Sequence, residues 1–87
     1  MKNIDHLIQM ANRIGDFFEA MPNRQEGLDG IADHIKKFWE PRMRTALLEF
    51  LTENPDGATD EAQLSDIVRE AVNAHRDLLT PKTVHHN

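Results

Sequence analysis

The sequence predicts an all-α fold, a small bundle of about four helices with a proline corner between the second and third helices. Apolar residues recur at three- and four-residue steps along four segments, which is the period of an amphipathic helix. No segment alternates apolar and polar residues over the length of a half-buried strand. The 87 residues include no cysteine, so the fold has no disulfide.

The first helix is predicted from Asn3 to about Ala20. Its apolar face includes Gly15, and a polar face that includes Asp5 and Asn12 lies opposite. A glycine inside a helix costs about 1 kcal/mol relative to alanine. We therefore expect Gly15 to lie where another helix packs closely against the first.

The second helix is predicted from a cap at Asn23 to about Trp39. Asn23 and Glu26 are spaced as in a capping box. Its apolar face ends at either Phe38 or Trp39, because adjacent helical residues point about 100° apart and only one of the two can be central to the core.

The third helix is predicted to start at Pro41, which suits a first helical turn, and to run to about Glu53. The turn-forming residues 54–60, "NPDGATD", predict a linker. The last helix is predicted from Glu61 to Leu79, with His75 at the edge of the core and one ring nitrogen bonded.

Residues 1–80 are expected to form one helical domain and residues 81–87 a flexible C-terminal tail. No stretch is long and apolar enough to cross a membrane or to act as a signal peptide, which favours a cytoplasmic protein with no membrane partner. The net charge is −5 and the isoelectric point is about 5.4. Such a chain repels phosphate, so we expect no nucleic-acid partner.

The sequence shows no group of residues typical of catalysis or of cofactor binding. The histidines lie on three different predicted helices or in the tail, without the spacing of a metal site. Ser65 is the only serine, and the glycines at 27–30 do not form a phosphate-binding loop. We expect no catalytic, cofactor-binding or metal-binding residue, and no bound cofactor.

The proline corner combines basic and aromatic residues and is the predicted partner-binding site. Basic residues near the end of the second helix complement the helix dipole, but those at the start of the third oppose it. A Glu40–Arg44 ion pair is expected to offset part of this cost. Trp and Arg are also common at the centres of protein interfaces. The predicted partner-binding residues are Lys36, Lys37, Trp39, Glu40, Arg42 and Arg44.

Residues 10–48, "MANRIGDFFEAMPNRQEGLDGIADHIKKFWEPRMRTALL", resemble the delta subunit of the soluble, NAD-dependent, molybdenum-containing formate dehydrogenases. The segment "LSDIVREAV", residues 64–72, is similar to the last helix of that family. Glu40 stands where the family more often has Asp, and "ENPDGATDEAQ" is longer and more acidic than the corresponding linker.

The resemblance implies a non-catalytic accessory subunit without redox groups, because in this family the molybdenum cofactor, flavin and iron–sulfur clusters belong to the other subunits. We expect the chain to bind and stabilise the alpha subunit, which carries the molybdenum, or the complex as a whole. One alternative is a dissociable chaperone that assists insertion or protection of the molybdenum cofactor. A small helical DNA-binding regulator is the weaker alternative, since the chain is acidic.

Overall fold

The computed structural model describes residues 3–82, which form five helices. These are α1 (Asn3–Glu19), α2 (Arg24–Phe38), α3 (Pro41–Glu53), α4 (Asp66–Ala74) and α5 (Arg76–Leu79). Within this range no strand forms, and the only ladder pairing is an isolated bridge between Ala58 and Gln63. The predicted all-α class is confirmed.

The core lies between α1, α2 and α4, with α3 packed against α1 and α5 packed against α2 and α3. Apolar residues at helical spacing on each element converge there, as the periodicity predicts. The fully buried side chains include Ile8, Ile31, Ile35, Leu47, Leu51, Leu64, Val68 and Val72.

The first three helices begin and end within one residue of their predicted bounds. Asn23 caps α2, since its side-chain oxygen accepts a hydrogen bond from the Glu26 amide at 3.0 Å. Pro41 occupies the first turn of α3, where its missing amide hydrogen leaves no helical bond unmade.

The predicted start of the last helix at Glu61 is wrong, because residues 54–65 form a longer loop. The Thr59 hydroxyl accepts hydrogen bonds from the amides of Glu61 and Ala62, at 3.1 and 2.9 Å, and these bonds hold a turn where a helix was expected. Gly57 adopts φ 72°, a left-handed conformation that favours glycine. The predicted helix also breaks at His75, which separates α4 from α5.

Two side chains of α1 fix this loop to the bundle. Asn12 donates to the carbonyl oxygen of Gln63 and accepts from the amide of Ser65, both at 2.8 Å. Asp5, predicted on the polar face, is instead only 1% exposed, and Thr59 Oγ1 donates to its Oδ1 at 2.6 Å. The loop covers the side of α1 that periodicity alone assigned to solvent.

Gly15 lies at the contact between α1 and α4, as predicted. A Cβ at this position would be 2.5 Å from Val68 Cγ2 and 3.2 Å from Ser65 Oγ. The missing side chain therefore lets α4 approach α1 more closely than any other residue would permit.

The predicted domain limits stay a prediction. Of the proposed tail, residues 83–87 lie outside the described range, while Pro81 and Lys82 have no regular secondary structure. No described helix combines the length and apolar character that a membrane span requires.

Candidate functional site

The corner between α2 and α3 turns through two extended residues. The last turn of α2 closes when the Trp39 amide donates to the Ile35 carbonyl at 3.0 Å. Trp39 and Glu40 then adopt extended backbone angles, as expected for a residue that precedes proline, and α3 begins at Pro41. The residues "FWEP" thus determine the turn, because the residue before a proline favours an extended backbone and proline favours the first turn of a helix.

The structure selects Trp39, rather than Phe38, for the core. Trp39 is 5% exposed and belongs to the main apolar cluster, whereas Phe38 is 71% exposed. Trp39 lies four residues after the buried Ile35 and its amide still bonds to the Ile35 carbonyl, so its side chain falls on the buried face of α2. A partner could reach the indole only after the corner had opened, and the exposed aromatic of the corner is Phe38.

Arg44, another predicted partner-binding residue, is 8% exposed and faces inward. Its Nη1 donates to the carbonyl oxygen of Leu79, the last residue of α5, at 3.4 Å. A cation is favourable at the carbonyl end of a helix. Arg44 therefore joins α3 to α5, and the expected Glu40–Arg44 ion pair is absent from the described contacts.

Four predicted residues remain on the surface: Lys36, Lys37, Glu40 and Arg42. The ion pair between Lys37 Nζ and Asp33 Oδ2 measures 3.1 Å, and that between Arg42 Nη2 and Glu40 Oε1 measures 3.9 Å. The Arg42 side chain is 91% exposed, so this long pair holds it only weakly. The corner thus presents three cations to solvent, one of them at the unfavourable end of α3.

Phe38 was not among the residues predicted to bind a partner. A signal for it was present in the sequence, because His34 and Phe38 are four residues apart and fall on one side of α2. Their rings are in contact, with centroids 4.7 Å apart. We therefore define the docking corner as Lys36, Lys37, Phe38, Glu40 and Arg42.

Beside the docking corner, a groove runs between α1 and the start of α3. Its wall on α1 includes His6 and Met10, and its wall on α3 includes Arg42 and Met43. The groove combines apolar and basic side chains, which can hold an apolar group close to an anionic one. It contains no nucleophile with an adjacent base.

The histidines do not form a metal site within residues 3–82, where no group of three or more His, Asp or Glu side chains could hold an ion. His75, predicted to bond through one nitrogen, bonds through both. Its Nδ1 lies 2.9 Å from the Ala71 carbonyl oxygen, and its Nε2 lies 3.0 Å from Asp29 Oδ1. The ring joins α4 to α2 and has a structural role.

At the other end of α2, Arg24 lies far from the docking corner. Its Nη2 donates to Glu70 Oε1 at 2.7 Å, and this hydrogen bond, with the negative charge of Glu70, raises the pKa of Arg24. Both side chains are about half exposed. This cation is engaged within the chain, in contrast to Arg42.

The comparison with protein-family models agrees with the sequence resemblance. Curated proteins and solved structures give no match to the chain. The family model for the NADH-dependent formate dehydrogenase delta subunit FdsD matches residues 6–72. This range contains most of α1, all of α2 and α3, the loop and most of α4, so it covers most of the bundle and the whole docking corner. The chain therefore belongs to the family of NADH-dependent formate dehydrogenase delta subunits.

Proposed function

We propose that this chain is a non-catalytic subunit that binds the large, molybdenum-containing alpha subunit through the docking corner and stabilises the complex. As a member of the delta subunit family, it is an accessory subunit of an oxidoreductase complex and assembles with other subunits. We place it in the cytoplasm, and assign no cofactor to it.

One observation carries the proposal: Arg42 is almost fully exposed on the first turn of α3, where its charge opposes the helix dipole. An exposed cation there costs about 0.3 to 1 kcal/mol, and its long ion pair with Glu40 offsets little. Phe38 is exposed nearby, at the last position of α2. A partner carboxylate near an apolar pocket would account for both side chains.

The test measures recovery of the other formate dehydrogenase subunits with tagged chain. Arg42→Glu should leave the free chain folded and weaken association by about tenfold or more, because a repulsive charge replaces an attractive one. Phe38→Ala should also weaken association, with little change in melting temperature.

Arg24→Glu is the control for charge reversal, since it makes the same change of charge at the opposite end of α2, about 20 Å away. Because it also breaks the Arg24–Glu70 ion pair, its melting temperature is measured alongside. Association should be retained in this variant. Normal recovery with both corner variants would refute the proposed docking site.

The same purification separates a permanent subunit from a dissociable chaperone of the molybdenum cofactor. A permanent subunit should be present in fixed stoichiometry in active, cofactor-loaded enzyme. Enrichment only on cofactor-free alpha subunit would favour the chaperone and contradict the proposal.

A further inference from the structure

One side of α1 carries a largely exposed stripe of basic and apolar residues. His6, Met10, Arg13 and Phe17 follow one another at steps of four, three and four residues, which places them along one line of the helix. Three of the four are exposed and Met10 is half-buried, with Phe17 72% exposed. The three acidic residues of α1 lie outside this stripe.

The Phe17 ring packs against a neighbouring aromatic ring. Its ring makes an edge-to-face contact with Phe18, at a centroid distance of 5.0 Å. The Phe18 ring in turn occupies the space beside Gly30 of α2, where a Cβ would be only 2.4 Å from its Cε1. The exposed Phe17 ring therefore packs against a ring that lies between α1 and α2. This contact restricts the Phe17 side chain, which reduces the conformational entropy lost when a partner binds it.

The second exposed aromatic is Phe38, in the docking corner at the end of α2. Gly30, beside Phe18, and Phe38 are eight residues apart on α2, which is about 12 Å at the helical rise. The half-buried Ile14 and Met10 continue along α1, and Met10 also lines the groove beside the docking corner. We call this surface, from Phe17 past Met10 to Phe38, the α1–α2 face.

The charge of this face differs from that of the whole chain. We define its rim by the charged residues Arg13, Lys37, Arg42, Asp33 and Glu40, which are three of the ten Lys and Arg residues but only two of the fifteen Asp and Glu residues. Both carboxylates, Asp33 and Glu40, already pair with cations of the rim, Lys37 and Arg42. Arg13 makes no ion pair among residues 3–82. The face thus has one unpaired cation, Arg13, and one weakly paired cation, Arg42, beside its exposed aromatic rings.

We propose that the α1–α2 face binds an acidic amphipathic helix of a partner subunit, so that the interface extends beyond the docking corner. This inference rests on the proposed function, because it identifies the kind of partner element that the subunit would engage. A helix with apolar residues on one side and acidic residues beside them would offer apolar side chains to the exposed Phe17 ring and carboxylates to the cations of the rim. These carboxylates would face Arg13 and Arg42.

The experiment replaces Phe17 and Arg13 in the full chain and measures association with the purified formate dehydrogenase subunits. Phe17→Ala and Arg13→Glu should each weaken association about tenfold or more, while the melting temperature of the free chain changes little. Leu78→Ala is the matched control, because Leu78 is an exposed large apolar residue of α5 and lies off this face. A photo-crosslinking residue at position 17 should then attach to a partner peptide that has acidic residues and apolar residues at helical spacing.

The outcomes distinguish this inference from the function on which it rests. If Arg42→Glu abolishes recovery but Phe17→Ala and Arg13→Glu do not, the docking corner stands and the α1–α2 face is not an interface. If none of these variants changes recovery, both proposals fail. If the free chain is a dimer that Phe17→Glu dissociates, or if the crosslink joins two copies of the chain, the occupant is a second copy and the partner helix is refuted.

Discussion

Gly15→Ala tests the close approach of α1 and α4. The change should gain about 1 kcal/mol from helix preference. Against this gain, the new Cβ would lie 2.5 Å from Val68 Cγ2, roughly 1 Å inside an ordinary carbon–carbon contact. Val68 is fully buried, so its methyl group has no solvent to move into. Overpacking of this kind costs about 1 to 3 kcal/mol, and we expect a net loss of about 1 kcal/mol.

The assay is thermal or urea unfolding of the free chain, in which this loss should lower the melting temperature by about 4 to 8 °C. A double-mutant cycle with Val68→Ala makes the test sharper. In that background the clashing methyl is gone, so Gly15→Ala should become stabilising, with a coupling free energy of about 2 kcal/mol. Gln9→Ala, at an exposed position of α1, is the control and should change stability by less than about 0.5 kcal/mol. If Gly15→Ala stabilises both backgrounds equally, the close contact does not exist.

Two further predictions concern the corner and the loop. Trp39→Ala should destabilise the free chain by about 3 to 5 kcal/mol, as expected for a buried indole. Phe38→Ala should change stability by less than about 0.5 kcal/mol. If chemical unfolding shows equal losses for the two variants, the core and surface positions of these side chains are misassigned. Thr59→Val should cost about 1.5 to 3 kcal/mol because it removes the hydroxyl bonded to the Asp5 carboxylate. Thr59→Ser keeps that hydroxyl, so a loss as large as that of Thr59→Val would contradict this explanation.

The sequence predicts the parts of this fold that depend on neighbouring residues. Helical periodicity, the Asn23 cap and the proline at position 41 each act within one or two turns, and the first three helices follow from them. The sequence could not predict the start of α4, because side chains of α1 hold the preceding loop through hydrogen bonds that span more than 50 residues.

In the docking corner, too, the sequence predicts the features that depend on neighbouring residues and not those that depend on distant contacts. Its position and its exposed cations were predictable from the sequence. The sequence also predicted that only one of Phe38 and Trp39 would be central to the core. Resolving that choice required the packing at the end of α2, where Trp39 joins the main apolar cluster and Phe38 stays exposed. Arg44 could not be assigned, since the carbonyl that it binds lies 35 residues away.

The contacts between α1 and the segment that leads into α4 also affect synthesis of the chain. The residues that Asn12 and Asp5 bind lie 51 to 54 positions further along, so the ribosome releases α1 long before its partners exist. During that interval the side of α1 around Gly15 has no Val68 to cover it. The apolar face of α1 therefore stays partly exposed until most of the polypeptide has emerged, and the fold is completed late in translation.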